Sequence, residues 1–266
     1  MTVTAFQRVR IACDNLQQAS ADYEDLLGAA PVWKGQIVFP AHKEACECAW
    51  FALGNTIIEF IQWPDVDTDF KSHIAGLVME SDVVERTGDC EYRCRNGDVH
   101  SLPEQLLDKD RVCQQWVSLQ DKHLKQTLCP APVDVNQATQ VQRVDHIVLY
   151  TNDGDACIEA FGEPGLGVRL ALDKTVPEWG GRMLFFRAGK LTLEVIQPNK
   201  GLQGDDYFWG IAYQVEDLQA FLQRAHADGV QTSEIRKGRK PGTRVATIKS
   251  HHLGIPTLLV EPATNV

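Results

Sequence analysis

The sequence lacks several features that would direct it to a membrane or to nucleic acid. No window contains the roughly 18 unbroken apolar residues that a spanning helix needs. The first residues show no basic segment followed by an apolar one, so no secretory signal is predicted. Basic side chains are outnumbered, because 26 Lys and Arg face 36 Asp and Glu, a formal net charge of −10. We therefore expect a cytoplasmic protein that binds neither nucleic acid nor a membrane as its main partner.

The usual spacing of zinc-binding cysteines is also absent. The chain has eight cysteines, of which Cys46 and Cys48 are separated by one residue and Cys90 and Cys94 by three. Structural zinc sites usually place two residues between paired cysteines. Because no export signal is predicted, the thiols should stay reduced. We expect small buried hydrophobic side chains or incidental surface thiols, with a zinc knuckle as the alternative.

The overall composition is that of an ordinary globular protein. Hydrophobic residues make up 44% of the 266 residues and charged residues 23%, which is enough apolar material for a sizeable core. At about 100–200 residues per domain, this length favours two domains or one large one.

The chain contains a long internal repeat. Residues 6–28 resemble residues 144–167, and residues 52–64 resemble residues 187–199. In each copy a short β-branched run is followed by a helix-length stretch and later by a strand. That strand carries a Glu followed by Phe-Ile-Gln in the first copy and by Val-Ile-Gln in the second.

Two pairs of positions define the repeat. Glu59 corresponds to Glu194, 135 residues further on, and Arg8 corresponds to His146, 138 residues further on. A period of this length indicates duplication of a whole domain rather than a solenoid of short units.

A finer repeat lies within the second half. Residues 209–230 predict a strand and then an amphipathic helix that ends at a glycine. A basic loop (residues 236–244) and two strands (245–250 and 256–262) follow. Residues 74–99 are the expected counterpart in the first half, again a strand, a helix and a glycine. The apolar face of the helix has the spacing i, i+3, i+4, i+7 and consists of Leu218, Phe221, Leu222 and Ala225.

The middle of the chain is harder to assign, because no glycine occurs from Asp98 to Asp153. The best strand candidates there are 115–120 and 125–130. The Pro-containing stretch 129–140 is typical of a linker.

We therefore predict four copies of a strand–helix–strands unit in two domains. The N-terminal domain spans residues 1–128, and its second unit is degenerate. A linker covers 129–143, and the C-terminal domain spans 144–266.

The order of these units resembles the vicinal oxygen chelate superfamily, which includes glyoxalases, bleomycin-resistance proteins and extradiol dioxygenases. The resemblance is clearest over 144–262, in VDHIVLYT, LTLEVIQP, GIAYQVEDLQAFLQRAHADGV and LGIPTLLVEP, fair over 6–64 and weak over 65–140. It implies an α+β fold in which four βαβββ modules form two glyoxalase-like curved-sheet domains. Four modules in one chain are similar to the two-domain extradiol dioxygenases.

The resemblance implies a divalent metal in the cup of the curved sheet. Zn, Ni, Mn or Fe(II) would act there as a Lewis acid toward two adjacent substrate oxygens. His146 and Glu194 match the first two ligand positions, and strand alternation places His146 on the same face as Tyr150. The third and fourth ligand positions fall on Gly210 and Leu258, so the ligand set is incomplete.

Substitutes for the missing ligands are few. His251 and His252 precede the last strand and are candidate ligands, although a solvated turn is the alternative. His146 itself could instead be a hydrogen-bonded histidine of the sheet. In the first half, Arg8 and Glu59 take the two matching positions, and an ion pair between them would occupy the space of a metal. We hypothesise that the N-terminal site is metal-free.

The basic loop 236–244 is a candidate anion clamp at the mouth of the cup, with a solubilising hairpin loop as the alternative. Arg244 and Lys249 flank the neighbouring strand and are the preferred substrate-binding residues, together with Tyr150 and Gln214. Aromatic residues in the same segments are expected to pack in the core or to line the pocket, and they are Trp179, Phe185, Phe208 and Trp209.

Two functions follow from the resemblance. The first is an enzyme, a glyoxalase-like lyase or isomerase or an extradiol-type dioxygenase, that acts on a small anionic, oxygen-rich metabolite. In this enzyme His146 is a metal ligand or a general base, and Glu194 is a metal ligand or a proton shuttle. The second is a metal-free protein that sequesters a small molecule, as bleomycin-resistance proteins do. A homodimer is possible in either case.

Overall fold

The computed structural model describes residues 2–40, 44–67, 69–84, 89–107, 115–121, 140–163 and 165–263. These residues form two curved β-sheets, one from each half of the chain, with three α-helices. The elements of the first half are β1 (Val3–Ala12), α1 (Leu16–Leu27), β2 (Trp33–Val38), β3 (Cys46–Ala52), β4 (Ile57–Gln62), β5 (His73–Ser81), β6 (Asp89–Cys94), β7 (Val99–Pro103), β8 (Gln105–Leu106) and β9 (Trp116–Asp121).

The second half begins with the same strand–helix–strand order and contains the other two helices. Its elements are β10 (Val141–Tyr150), α2 (Gly154–Phe161), β11 (Arg169–Val176), a 3-10 turn (Pro177–Trp179), β12 (Gly181–Ala188), β13 (Leu191–Pro198), β14 (Tyr207–Val215), α3 (Leu218–Ala227), β15 (Arg236–Lys237), β16 (Arg244–Thr247) and β17 (Thr257–Glu261). No helix in the described part of the chain is long and apolar enough to cross a membrane.

The two sheets share one pairing scheme. In the first, β1 pairs in parallel with β4 and antiparallel with β5, and β5 pairs in parallel with β9. In the second, β10 pairs in parallel with β13 and antiparallel with β14, and β14 pairs in parallel with β17. This confirms the predicted α+β fold with two curved sheets. It also shows that each sheet joins its two halves within one chain, through β1–β5 and β10–β14.

Helix α3 shows how the local sequence determines an element. Asp217 caps its first turn by accepting hydrogen bonds from the backbone N–H groups of Gln219 and Ala220. Gly229, just beyond the helix, adopts a left-handed φ of 86° that favours glycine. The four apolar residues predicted for its inner face, Leu218, Phe221, Leu222 and Ala225, are the ones that are buried.

The prediction of a helix within residues 74–99 is wrong for the part of that segment that the structure describes. Residues 89–94 form strand β6 instead. Cys90 and Tyr92 are buried, whereas their neighbours Glu91 and Arg93 are not. This alternation has the two-residue period of a strand rather than the period of a helix. The predicted strand at 115–120 is confirmed by β9, while the one at 125–130 lies outside the described residues.

The predicted linker 129–143 is only partly covered by the structure. Residues 129–139 lie outside the described part of the chain, and β10 begins at Val141, within the last residues of the predicted linker.

The described cysteines behave as buried apolar side chains. Six are described, all are free thiols, and five of them are buried. This confirms the expectation for those six, while Cys113 and Cys129 lie outside the described residues.

The first sheet closes around its own interior. Its order is β7-β6-β2-β3-β4-β1-β5-β9-β8, so β7 and β8 are its two edge strands. Only Glu104 separates these two strands in the chain. The two edges of the sheet therefore meet, and the Glu104 side chain, only 4% exposed, lies in the interior.

Two arginines and two glutamates fill this interior and form what we term the ion cluster (Arg8, Arg10, Glu59 and Glu104). Arg8 Nε lies 3.3 Å from Glu59 Oε1, and Arg8 Nη2 lies 2.8 Å from Glu104 Oε2. Arg10 contacts the same two carboxylates at 2.5 and 2.6 Å. The predicted Arg8–Glu59 ion pair is therefore present, within a larger cluster in which each guanidinium faces both carboxylates.

Removing one carboxylate from the ion cluster should destabilise the fold strongly. For Glu104→Gln we expect the free energy of unfolding to fall by about 3–5 kcal/mol, because a buried positive charge loses its partner. Urea unfolding followed by circular dichroism measures this change. Glu91→Gln is the matched control, since Glu91 pairs with Arg93 at the surface and should contribute under about 1 kcal/mol.

The same variant should change the acid sensitivity of the protein. Burial alone raises the pKa of Glu104, but the charges of Arg10 and Arg8 outweigh it and lower the pKa from 4.5 to about 2. A lowered pKa contributes stability above pH 4.5 that is lost as the pH falls toward 2. The difference in unfolding free energy between wild type and Glu104→Gln should therefore shrink over this range. A difference that stays constant would contradict this account of the cluster.

Candidate active site in the C-terminal sheet

The second sheet has one face covered by helices and one face open. Its order is β11-β12-β13-β10-β14-β17-β16-β15. Phe186 of β12 packs against Phe161 of α2, with ring centroids 5.9 Å apart, which identifies the helix-covered face. Alternation then turns Phe185 to the other face, opposite Glu194 of β13. We call this second face, together with the loops around it, the cup.

His146 and Glu194 share the cup. In the parallel pairing of β10 with β13, His146 lies opposite Thr192 and Val148 lies opposite Glu194, so Glu194 is two positions from His146. The distance from His146 Nδ1 to Glu194 Oε1 is 3.8 Å, and the side chains are 17% and 25% exposed. The two predicted residues therefore lie on the same side of the sheet and within ion-pair distance of each other.

A third side chain, Asp145, completes what we call the acid–base group (Asp145, His146 and Glu194). Asp145 Oδ2 lies 3.0 Å from His146 Nδ1. In an ideal strand two neighbouring residues point to opposite faces, so alternation would exclude Asp145 from the cup. The pairing of β10 with β14, however, is irregular between Val144 and His146. A β-bulge at this point re-aims side chains, and the sequence gives no sign of it.

The environment shifts the pKa values of all three side chains. Burial lowers the pKa of His146, but the hydrogen bond with Asp145 and the negative charge of Glu194 outweigh it, so the pKa is raised. Burial raises the pKa of Glu194, and His146 offsets only part of this. Burial also raises the pKa of Asp145, yet the hydrogen bond to His146 and the neighbouring cations make the net shift downward. Asp145 is therefore held as the carboxylate that faces the imidazole.

The residues of the cup do not fit a divalent metal. A side chain at Gly210, the third ligand position, would place its Cβ 2.5 Å from the backbone oxygen of Pro256, which is too close. The fourth position is the hydrocarbon side chain of Leu258 on β17. Among the described residues, no group of three His, Cys, Asp or Glu side chains could hold a metal ion. Two protein ligands are fewer than zinc and non-haem iron sites use.

His251, one of the two histidines that might replace the missing ligands, contacts other groups. His251 Nδ1 lies 2.7 Å from Ser250 Oγ, and its Nε2 lies 3.9 Å from Asp25 of the N-terminal half. His252 has a buried Nδ1 with no hydrogen-bond partner among the described residues. The structure gives neither of them a contact with His146 in the described part of the chain.

Two of the predicted substrate-binding residues lie on or beside the cup. Tyr150, on the same face as His146, stacks on Tyr207 with ring centroids 5.7 Å apart and planes inclined by 12°. Gln214 is already engaged, because its Oε1 accepts a hydrogen bond of 2.9 Å from Arg143 Nε. Tyr150 is therefore free to line the site, whereas Gln214 would have to release Arg143 first.

The basic loop reaches the cup through residues other than the preferred ones. Arg244 donates to Glu261 at 2.8 Å, and Glu261 also accepts from the first backbone N–H of α3, so this pair lies toward the helices. Lys249 is exposed, and no ion pair involves it in the described part of the chain. Arg239, by contrast, lies close enough to Glu194 to lower its pKa, in opposition to the larger effect of burial.

Comparisons with known sequences and structures bear on the family and the fold. Residues 145–247 match the family described as the Glyoxalase/Bleomycin resistance protein/Dioxygenase superfamily. No curated protein sequence matches the chain.

Among solved structures, the chain is similar to a mutant of 4-hydroxymandelate synthase from Streptomyces coelicolor. The TM-score is 0.63 and the identity 13%, over 99% of this chain and 94% of that one. Methylmalonyl-CoA epimerase from Mycobacterium tuberculosis is 23% identical over 46% of this chain and 89% of that one, with a TM-score of 0.38. The first match confirms the fold of the described residues.

The position of Asp145 leads to a prediction about the titration of His146. Asp145→Asn removes the charge that favours the imidazolium, so the pKa of His146 should fall. Two-dimensional NMR of the imidazole nitrogens across a pH series measures it, with His146→Gln to assign the signals. His226, whose Nε2 lies 2.8 Å from Thr232 Oγ1, is the internal control, because its signals should be the same in the two proteins. An unaltered His146 pKa in the variant would disprove the role assigned to Asp145.

The ligand set leads to a second prediction, about metal content. Protein purified without chelator should contain no stoichiometric Zn, Ni, Mn or Fe, and His146→Ala should not change the content. Elemental analysis of both proteins by mass spectrometry tests this. Stoichiometric metal in the wild type that disappears in His146→Ala would contradict our conclusion that the cup does not fit a metal.

Proposed function

We propose that the chain is a member of the vicinal oxygen chelate superfamily and an enzyme of the glyoxalase/dioxygenase type. Its substrate is a small, anionic, oxygen-rich metabolite that binds in the C-terminal cup. The observation that carries this proposal is the 3.8 Å approach of His146 Nδ1 to Glu194 Oε1 on the open face of the sheet. One fold hosts many chemistries, so the proposal rests on these side chains rather than on the fold.

The reaction that this group supports best is proton transfer at a carbon next to a carbonyl. Glu194 is the base, and its raised pKa brings it closer to the pH at which it works. It takes the proton from carbon as the electron pair moves to the carbonyl oxygen. His146 uses Nδ1 for Asp145, which leaves Nε2 to donate a hydrogen bond to that oxygen. The proton then returns from Glu194 to the same or a neighbouring carbon.

An anionic substrate is favoured by the charges around the cup. Lys240 lies close enough to Asp145 to lower its pKa, although burial has the larger and opposite effect, and Arg239 acts on Glu194 in the same way. Both cations belong to the basic loop. They would compensate a carboxylate brought beside the acid–base group.

A second function, a metal-free protein that sequesters its ligand, is favoured by a different observation. The third and fourth ligand positions of the family are Gly210 and Leu258, neither of which offers a metal-binding atom.

A cytoplasmic location and a homodimer stay predictions from the sequence. Each sheet already joins its own two halves, so a dimer is not needed to complete the cup.

Hydrogen exchange into small 2-oxo carboxylates tests the enzyme. Incubation with pyruvate, 2-oxobutanoate and 2-oxoglutarate in D₂O should introduce deuterium at the carbon next to the carbonyl of at least one of them. Proton NMR measures the rate of this exchange. Glu194→Gln should slow this exchange by about 100-fold or more, because the base is lost. Asp155→Asn is the matched control: it removes a carboxylate that is 79% exposed and pairs with Arg182, and it should leave the rate unchanged.

The outcomes separate the two functions. Exchange that depends on Glu194 supports the enzyme. Binding of a carboxylate with a rate of exchange no higher than in buffer would overturn proton transfer and support the sequestering protein.

A further inference from the structure

Two hairpin loops meet above the cup. One connects β11 to β12 and carries Trp179 in its 3-10 turn. The other is the tip of the basic loop, between β15 and β16. The guanidinium carbon of Arg239 lies 4.8 Å from the ring centroid of Trp179, within the range of a cation–π contact. Because β11 and β15 are the two edge strands of the sheet, this contact bridges the mouth of the cup from one edge to the other.

The tip of the basic loop has a defined conformation. Thr243 Oγ1 donates to the backbone oxygen of Lys240 at 2.6 Å, and the backbone N–H of Gly238 donates to Thr243 at 2.8 Å. Gly242 adopts a φ of 80°, which L side chains rarely adopt. Arg239 is thus presented by an ordered turn, and a ligand that binds it loses little additional loop entropy.

Arg239 has no carboxylate partner among the described residues, unlike two other arginines of this sheet. Arg182 pairs with Asp155 and Asp173, and Arg244 pairs with Glu261. Within the described residues, Arg239 makes no ion pair, although it lies near Glu194 and Tyr150. Its planar group of donors is therefore available for a carboxylate in the cup.

Aromatic side chains stand beside Arg239. Tyr150 stacks on Tyr207 and meets Trp209 edge-on, with ring centroids 5.8 Å apart in the second case. Trp179, Tyr207 and Trp209 are 40%, 47% and 43% exposed, which is unusual for large aromatic side chains. Exposed aromatic surface that adjoins a pocket with a few charged groups is typical of a ligand site. Phe208 is buried, which agrees with the core packing expected for it.

From this arrangement we propose that Arg239, held on the ring of Trp179, is the residue that selects the substrate of the cup. It binds a carboxylate, and Tyr150, Tyr207 and Trp209 pack against a planar or aromatic part of the same molecule. The proposal names the substrate class of the function proposed above and rests on the same cup. Proton transfer and ligand selection are nevertheless separable, because different residues carry them.

Benzoate, benzamide and acetate are the probes that test it. Benzoate and benzamide share a ring and differ in charge, whereas acetate keeps the charge without the ring. Binding is measured by titration with NMR detection of the indole N–H signals of Trp179 and Trp209, assigned with Trp→Phe variants. We expect benzoate to bind about tenfold or more tightly than either benzamide or acetate.

Two variants that each remove one positive charge from the same loop show whether Arg239 acts specifically. Arg239→Gln should weaken benzoate binding by about tenfold or more and leave benzamide binding unchanged. Lys237→Gln is the matched control, because Lys237 lies in the short strand β15 and is exposed. It should keep the preference for benzoate. Trp179→Leu should reduce that preference by releasing Arg239, and circular dichroism confirms that each variant is folded.

Several results would overturn the proposal. Equal losses of benzoate affinity in Arg239→Gln and Lys237→Gln would show that the positive charge of the loop as a whole, rather than Arg239, attracts benzoate. Equal affinities for benzoate and benzamide would remove carboxylate selection, and equal affinities for benzoate and acetate would remove the aromatic part. Failure of proton exchange with intact benzoate selectivity would overturn the proposed function but not this inference. Proton exchange without benzoate selectivity would overturn this inference but not the proposed function.

Discussion

The parallel pairing of β10 with β13 is the constraint on which the candidate site depends. It joins two strands that are far apart in the sequence and fixes their register, with His146 opposite Thr192 and Val148 opposite Glu194. A shift of one residue in this register would turn one of the two functional side chains to the helix-covered face. The imidazole and the carboxylate meet only because a long chain segment returns to the correct strand in the correct register.

The same pairing in the N-terminal half has the opposite result. There β1 and β4 place Arg10 directly opposite Glu59, at the position that Val148 has opposite Glu194. The arginine fills the space that the smaller valine leaves open. The first sheet also closes, because its edge strands β7 and β8 are joined through Glu104, whereas in the second sheet the Arg239–Trp179 contact bridges the two edge strands. One topology thus yields a filled interior in one half and an open cup in the other.

Sequence reasoning predicts what strand alternation and helical period control. It finds His146 and Glu194 on one face, because two residues in regular strands need only the two-residue period. It misses Asp145, because a β-bulge breaks that period locally. It also prefers Arg244 over Arg239, because the path of a loop depends on its turn and on the side chains that it meets, here Trp179 and Glu261. The missed features are therefore irregular backbone and contacts between distant segments.

The charges of the cup connect these observations to a ligand. Arg239 and Lys240 are exposed cations that lie near the carboxylates of Glu194 and Asp145. Because neither cation has a carboxylate partner of its own among the described residues, a ligand carboxylate can bind them without displacing a protein group. The N-terminal ion cluster needs no such ligand, because its two arginines face two carboxylates of the protein itself. The difference in internal charge compensation is why one half can be a structural core and the other a binding site.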